Sequence, residues 1–157
     1  MSNNRKEIRK QIAALFDSQS LAVLSTQTND QPYASLVAFS ASPDLSRVYF
    51  LTPSTTRKYE NLTANPKVSI LVNDSRNQAE DIYNAVSVTG TGEAEVVGKD
   101  EEKDALDVYL KKHAYLKEFA HAPTTALVRI AMKRYFMVNR FQNVVEVRID
   151  HETPAHH

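Results

Sequence analysis

The stretch at residues 52–72, "TPSTTRKYENLTANPKVSILV", places a short helix directly before a strand. The helix is predicted over residues 55–64 because Pro66 disfavours helical backbone at the residue before it. The β-branched run at 67–73 then predicts a strand. Three hydroxyl residues and an Arg-Lys pair stand at the start of the helix. They either cap the helix or bind a doubly negative group there.

Short apolar or alternating runs separated by turn residues surround this stretch, and they predict antiparallel strands. The predicted strands are 21–26, 33–39, 47–52, 67–73 and 83–97, with one or two more in 125–132 and 135–149. Further helices are predicted at 5–17, 99–113 and 114–120. Gly90 and Gly92 indicate a bend or bulge in the fifth strand. This order predicts a small barrel of about six antiparallel strands with helices at its ends, mainly β plus α.

Length and composition limit the classes of protein that the chain can belong to. Its 157 residues suffice for one domain with a core, predicted over residues 1–150 with a disordered tail at 151–157. The net charge of zero argues against a nucleic-acid partner. No apolar run is long enough for a membrane span or a signal peptide, so a cytoplasmic protein without a membrane partner is expected. The absence of cysteine excludes disulfides and thiolate chemistry.

Other candidate sites in the sequence are weaker than the Arg-Lys pair. His113 and His121 occur eight residues apart in the late helical segment, but solvated surface histidines are the favoured interpretation. No third ligand accompanies them, so no metal site is predicted. The acidic run at residues 100–102 complements a helix dipole and needs no further function. Three glycines in the whole chain exclude a glycine-rich phosphate loop.

The segments "PYASLVAF" (32–39) and "RVYFLTPSTTRKYENLTANPKVSILV" (47–72) resemble the pyridoxamine 5′-phosphate oxidase-like family of flavin-binding split barrels. The resemblance extends over residues 20–97. Its most specific part is a hydroxyl-Arg-Lys run followed, six residues later, by Asn-Pro-Lys-Val-Ser. The resemblance implies a six-stranded antiparallel split β-barrel of Greek-key topology with peripheral helices. It also implies a homodimer with two flavins at the interface.

The resemblance further implies which residues hold flavin mononucleotide (FMN). The phosphate is expected on Thr56, Arg57 and Lys58, and the flavin ring on Ser35, Leu36, Val37, Leu51 and Thr52, partly through main-chain groups. Asn84 lies near the place of a family glutamine, and Asn139 and Arg140 are expected to approach the flavin from the partner chain. The chemistry of these residues agrees with a phosphate site, because a helix N-terminus offers free N–H groups and Arg57 can bind two phosphate oxygens at once. The polar segment around Asn139 is equally well interpreted as a hairpin turn.

The sequence also departs from the family pattern. Ser40 replaces a lysine that binds the substrate's phosphate in such enzymes, and the C-terminal Arg-x-His pattern is missing. Oxidation of pyridoxamine phosphate is therefore not expected. The sequence predicts a homodimeric FMN-dependent oxidoreductase acting on a small-molecule substrate or electron acceptor, without an identifiable catalytic residue. One alternative is a protein that binds flavin or haem without turnover, and another is a structural dimer with an empty cleft.

Overall fold

The computed structural model describes residues 2–139 and 143–150, with seven strands and five helices in the described part. The strands are β1 (Leu21–Thr28), β2 (Gln31–Ala41), β3 (Arg47–Pro53), β4 (Lys67–Asn73), β5 (Ser87–Val97), β6 (Thr125–Asn139) and β7 (Asn143–Arg148). The helices are α1 (Ser2–Ser18), α2 (Arg57–Ala64), α3 (Asp81–Asn84), α4 (Lys103–Lys112) and α5 (Lys117–His121). None of the described helices is long and apolar enough to cross a membrane. The predicted tail at 151–157 lies outside the described residues.

Six strands close into an antiparallel barrel. The strand order is β3-β2-β1-β4-β5-β6-β7, and an additional pairing between β3 and β6 closes the ring. In that seam Arg47 pairs with Ala131 and Pro53 with Thr125. The strand β7 pairs with β6 outside the closed ring. The predicted six-stranded antiparallel barrel of a mainly β protein with helices is therefore confirmed.

The barrel interior is filled by side chains that alternate along each strand, and α1 adds to this core. Phe16 of α1 packs edge-on against Phe39 and Tyr135, with ring centroids 5.5 and 5.6 Å apart. The buried hydroxyl of Tyr135 donates a hydrogen bond to the carbonyl of Leu45 at 2.7 Å. Each fully buried apolar side chain of this size contributes about 1.5–3 kcal/mol. The core thereby fixes α1 against the barrel.

The fifth strand contains the irregularity that its glycines predict. The register between β5 and β6 shifts between Thr91 and Gly92. A Cβ atom at Gly92 would lie 2.4 Å from the carbonyl oxygen of Ala131, and one at Gly90 would lie 2.5 Å from the Met132 side chain. Glycine is thus required at Gly92, because the backbone of the neighbouring strand approaches too closely there for any side chain.

A second apolar cluster lies outside the barrel, where α4 and α5 cover β3 and β6. Tyr49 and Leu51 of β3 pack there with Leu127 of β6 and Tyr109 of α4. The Tyr109 hydroxyl donates to the carbonyl of Ala38 at 2.9 Å.

The fifth strand begins later than the sequence predicts, at Ser87 rather than at residue 83. Residues 81–84 form α3 instead, because the Asp81 carboxylate accepts hydrogen bonds from the backbone N–H groups of Arg76 and Gln78 at 2.8 and 2.9 Å. These hydrogen bonds stabilise a turn before α3, and this turn is formed in place of the extended backbone that a strand would need. Asn84 therefore lies on a short exposed helix and not on β5.

His113 is also placed differently from the prediction of a solvated histidine. Its side chain is buried between α4 and β2, and its Nε2 atom lies 2.7 Å from the carbonyl oxygen of Phe39. Because a carbonyl only accepts, Nε2 carries the proton and donates it. Burial lowers the pKa of His113. His113 thus contributes to the packing of α4. His121 is exposed, as predicted.

Candidate functional site

The start of α2 is joined to the end of β3 by a pair of threonine hydroxyls. Thr56 is the N-cap residue, and its hydroxyl accepts a hydrogen bond from the backbone N–H of Tyr59 at 3.3 Å. The Thr52 and Thr56 hydroxyl oxygens lie 2.8 Å apart. Thr56 therefore caps the helix, and this bond to Thr52 sets the position of its first turn against the barrel.

The first turn of α2 has free hydrogen-bond donors. Within the described residues, the backbone N–H groups of Arg57 and Lys58 have no hydrogen-bond partner. The first N–H groups of any helix lack intrahelical carbonyls, and the helix dipole adds positive potential at this end. An anion at the start of α2 would receive both N–H groups and would be stabilised by that potential.

The two basic side chains of this turn form no ion pair with a carboxylate in the part of the chain that the structure describes. The Arg57 guanidinium lies over the Tyr33 ring, 5.7 Å from its centroid. Lys58 is half-buried, and this burial lowers the pKa of its ammonium group. A partly buried cation without a partner is unfavourable until an anion binds beside it. Arg57 and Lys58 are therefore suited to bind an anionic ligand.

Ser35 adds an unused hydroxyl. Its oxygen is buried and, alone among the buried side-chain polar atoms of the described residues, has no hydrogen-bond partner. Ser35 and Tyr33 are two residues apart on β2, so their side chains project to the same face of the strand. Since Tyr33 contacts Arg57, Ser35 lies on the face of β2 that meets the start of α2. A buried hydroxyl without a partner fits a ligand that supplies one.

The structure thus brings together Thr52, Thr56, Arg57 and Lys58 at one end of the barrel, and the contact of Arg57 with Tyr33 links them to β2, the strand that carries Ser35. Tyr33 belongs to the same cluster but was not predicted, because its approach to Arg57 depends on how the first hairpin folds towards α2. Alternation along β2 from Ser35 is the only signal in the sequence that points to it.

Other predicted site residues lie apart from this cluster. The side chains of Val37 and Leu51 are buried in the two apolar clusters, so they could meet a ligand only through the main chain. Asn84 and Asn139 lie at the opposite end of the barrel, about 20 Å away by the length of β4. Asn139 accepts a bond from the amide of Asn143 at 2.9 Å, next to the connection between β6 and β7. Arg140 lies outside the described residues.

An exposed apolar surface runs across the outer face of the barrel. Leu36 pairs with Val23, and Val23 pairs with Leu71 on the next strand. Neighbouring residues in such a row point to one face of the sheet. Leu36 is 65% exposed and Leu71 36% exposed, although both are large apolar side chains. This outer apolar row begins on β2, the strand that also carries Ser35.

The chain thus combines a closed six-stranded antiparallel barrel with two basic residues at the start of a helix at one end of that barrel. The sequence profile of the pyridoxamine 5′-phosphate oxidase family matches residues 8–139. The chain belongs to the pyridoxamine 5′-phosphate oxidase family. The resemblance inferred from residues 20–97 is thereby confirmed over most of the chain.

Solved structures with the same fold bind different cofactors. A haem-binding protein from Mycobacterium smegmatis has a TM-score of 0.74 and 19% identity, covering 87% of this chain and 56% of that one. An FAD-binding protein from Mesorhizobium loti has a TM-score of 0.67 and 19% identity, covering 82% and 90%. The haem storage protein HutZ from Vibrio cholerae has a TM-score of 0.68 and 17% identity, covering 83% and 93%. Proteins of curated function gave no match. At these identities the similarity shows the fold alone.

Proposed function

We propose that this protein is an FMN-dependent oxidoreductase that holds the phosphate of its cofactor at the start of α2. The observation that carries the proposal is the set of unpartnered donors gathered there. Two backbone N–H groups and two basic side chains lie at the start of α2, and the buried Ser35 hydroxyl lies on the strand whose Tyr33 contacts Arg57. A phosphate monoester carries nearly two negative charges and three acceptor oxygens, which matches this set.

The protein and the cofactor have separate tasks in this proposal. The bound flavin supplies the electron-transfer chemistry. Arg57 and Lys58 neutralise the phosphate, and stacking on Tyr33 restrains the Arg57 guanidinium. The outer apolar row beginning at Leu36 offers a surface for the flat flavin ring. No acid–base residue is assigned, and the small-molecule substrate or electron acceptor is not specified by these contacts.

Haem is the second candidate because two proteins of the same fold are haem proteins. Haem iron requires an axial ligand, most often a histidine. In the described chain, the Nε2 atom of His113 donates a hydrogen bond to the carbonyl of Phe39. His121 lies on α5, and its Nδ1 atom donates a hydrogen bond to the carbonyl of Lys117. Neither ring is at the start of α2, so this site favours the flavin. His151, His156 and His157 lie outside the described residues.

Oxidation of pyridoxamine phosphate is not part of the proposal. Ser40, at the place where such enzymes carry a lysine for the substrate's phosphate, is buried and uncharged. A serine hydroxyl there lacks the positive charge that a second phosphate needs. A substrate without a phosphate group, or an electron acceptor, agrees better with this position.

Titration of the purified protein with FMN, riboflavin and haemin tests the proposed cofactor. FMN is expected to bind more tightly than riboflavin, because only FMN carries the phosphate. Visible absorbance and flavin fluorescence measure both affinities, and an anaerobic assay with NADH and NADPH then tests reduction of the bound flavin. Binding of haemin with no binding of FMN would replace the flavin proposal by the haem alternative. Flavin binding without reduction by NADH or NADPH would indicate a protein that carries flavin without turnover.

The protein is further proposed to be a homodimer that covers the outer apolar row. An exposed row of large apolar side chains on a sheet is typical of an interface. Light scattering is expected to give about twice the single-chain mass of 17.7 kDa. A Leu71→Asp variant should shift the protein towards monomers, whereas Val108→Asp, at an exposed apolar residue of α4, should not. A wild-type mass of one chain would contradict this assembly.

A further inference from the structure

A groove of about 540 Å³ runs between α4 and α5, on residues that the proposed flavin site does not use. Its floor is apolar and is formed by Leu106 and Leu110 of α4 together with Ala120 of α5. Its rim is polar and consists of Lys99, Asp100, Lys103, Asp107, Lys111, Lys117 and His121. This combination of floor and rim defines the α4–α5 groove.

The rim of the α4–α5 groove carries excess positive charge. Four lysines face two aspartates, which leaves an excess of two positive charges. Within the described residues, none of the four ammonium groups lies within ion-pair distance of a carboxylate. Asp107 stands one helical turn from both Lys103 and Lys111, yet it pairs with neither. The positive charge of this rim is therefore available to a ligand.

Two side chains of the rim are held in place by the fold. The Lys99 ammonium donates to the carbonyl of Ala122 at 3.0 Å, which ties the segment before α4 to the segment after α5. His121 Nδ1 donates to the carbonyl of Lys117 at 2.7 Å. The Lys99 ammonium retains two further N–H donors, whereas the Nε2 atom of a neutral His121 imidazole is then an acceptor. Donors that are already positioned lose little conformational freedom when a ligand binds.

We propose that the α4–α5 groove binds an organic carboxylate with an apolar body. The carboxylate would be bound by the lysines of the rim, and the apolar body would cover Leu106 and Leu110. A purely inorganic anion would leave the apolar floor exposed, and a neutral apolar molecule would leave the lysines unpaired. An amphipathic anion both covers the apolar floor and pairs with the lysines, in keeping with small-molecule sites, which combine an apolar lining with a few polar groups.

The test is an NMR titration of the full chain, both without and with added FMN, with 4-phenylbutyrate and with the neutral 4-phenylbutanamide at the same low salt concentration. The carboxylate is expected to shift signals of Leu106, Leu110, Ala120 and His121. It should bind at least tenfold more tightly than the amide, because the amide lacks the charge. The affinity should also fall as salt is added.

A pair of double variants separates the rim lysines from overall charge. Lys103→Gln with Lys111→Gln is expected to weaken 4-phenylbutyrate binding about three- to tenfold, as expected for the loss of two solvent-exposed charge interactions. Lys6→Gln with Lys10→Gln removes the same charge from exposed positions of α1 and should leave the affinity unchanged. Both variants should keep the FMN affinity of the wild type, since neither touches the start of α2.

Three results would overturn the proposal. The first is an absence of shifts in the groove signals up to about 10 mM 4-phenylbutyrate, about the weakest affinity of interest. The second is equal affinity for the acid and the amide. The third is an equal loss of 4-phenylbutyrate affinity in both double variants. Because the groove is monitored through its own signals, failure of FMN binding would leave this result interpretable. The two proposals can therefore fail separately.

Discussion

An Arg57→Ala variant is expected to bind FMN about ten- to hundredfold more weakly than the wild type. Charge-assisted hydrogen bonds contribute roughly 1.5–3 kcal/mol each, and about 1.4 kcal/mol corresponds to a factor of ten. In this chain the guanidinium forms no ion pair with any described carboxylate, so its charge is not already neutralised. The phosphate would be its principal partner.

Riboflavin provides the matched ligand for this experiment, since it lacks the phosphate. Fluorescence titrations at fixed salt should show that Arg57→Ala changes riboflavin affinity little while FMN affinity falls. Lys58→Ala should act in the same direction. Arg76→Ala, at an exposed arginine before α3, is the control and should change neither affinity. An equal loss for both flavins would mean that Arg57 does not contact the phosphate. No loss for either would return the Arg-Lys pair to the interpretation of a solvated helix cap.

The second large effect is expected at the bulge of β5. Gly92→Ala should lower the free energy of unfolding by about 1–3 kcal/mol, the usual cost of forcing extra atoms into a packed interior. The added Cβ would lie 2.4 Å from a backbone oxygen of Ala131, which cannot turn away as a side chain could. To accommodate it, β5 and β6 would have to separate where they pair across the bulge.

Urea denaturation measures this loss, and Gly98→Ala is its control. A Cβ at Gly98 would meet only the flexible side chain of Glu101, at 3.2 Å, so this variant should be close to neutral. Equal stabilities of the Gly92→Ala variant and the wild type would show that the strands can move apart without cost. Equal losses at Gly92 and Gly98 would point to a general effect of glycine replacement instead.

Local chemistry explains why the segment from α2 to β4 was predictable. Pro66 ends the helix and begins the strand, and β4 covers residues 67–73 as predicted. The start of β5 was not predictable in this way, because the alternating pattern extends to residue 83. What decides its start is the bonding of the Asp81 carboxylate to two backbone N–H groups. A pattern of apolar residues contains no information about such bonds.

Tertiary contacts determine the features of the site that the sequence could not reveal. His113 is buried because β2 presents the carbonyl of Phe39 to it, and these residues are far apart in sequence. The Arg-Lys pair at a helix start is visible in the sequence, whereas the lack of a partner for the Ser35 hydroxyl is not. Its burial without a partner depends on the pairing of β2 with β1, where Leu24 lies opposite Ser35. The sequence therefore indicates the charged residues of the candidate site, whereas the fold determines which of its side chains are buried.

The seam between β3 and β6 has a consequence for the order in which the chain folds. Its pairs, such as Pro53 with Thr125, join residues distant in sequence, and contacts of this kind form slowly because a long loop must close first. Thr52 lies in this seam and bonds to the Thr56 cap of α2. The proposed phosphate site is therefore complete only after the ring has closed. A cofactor bound there would act mainly by slowing unfolding, and a chain still being synthesised could not recruit it before β6 has emerged.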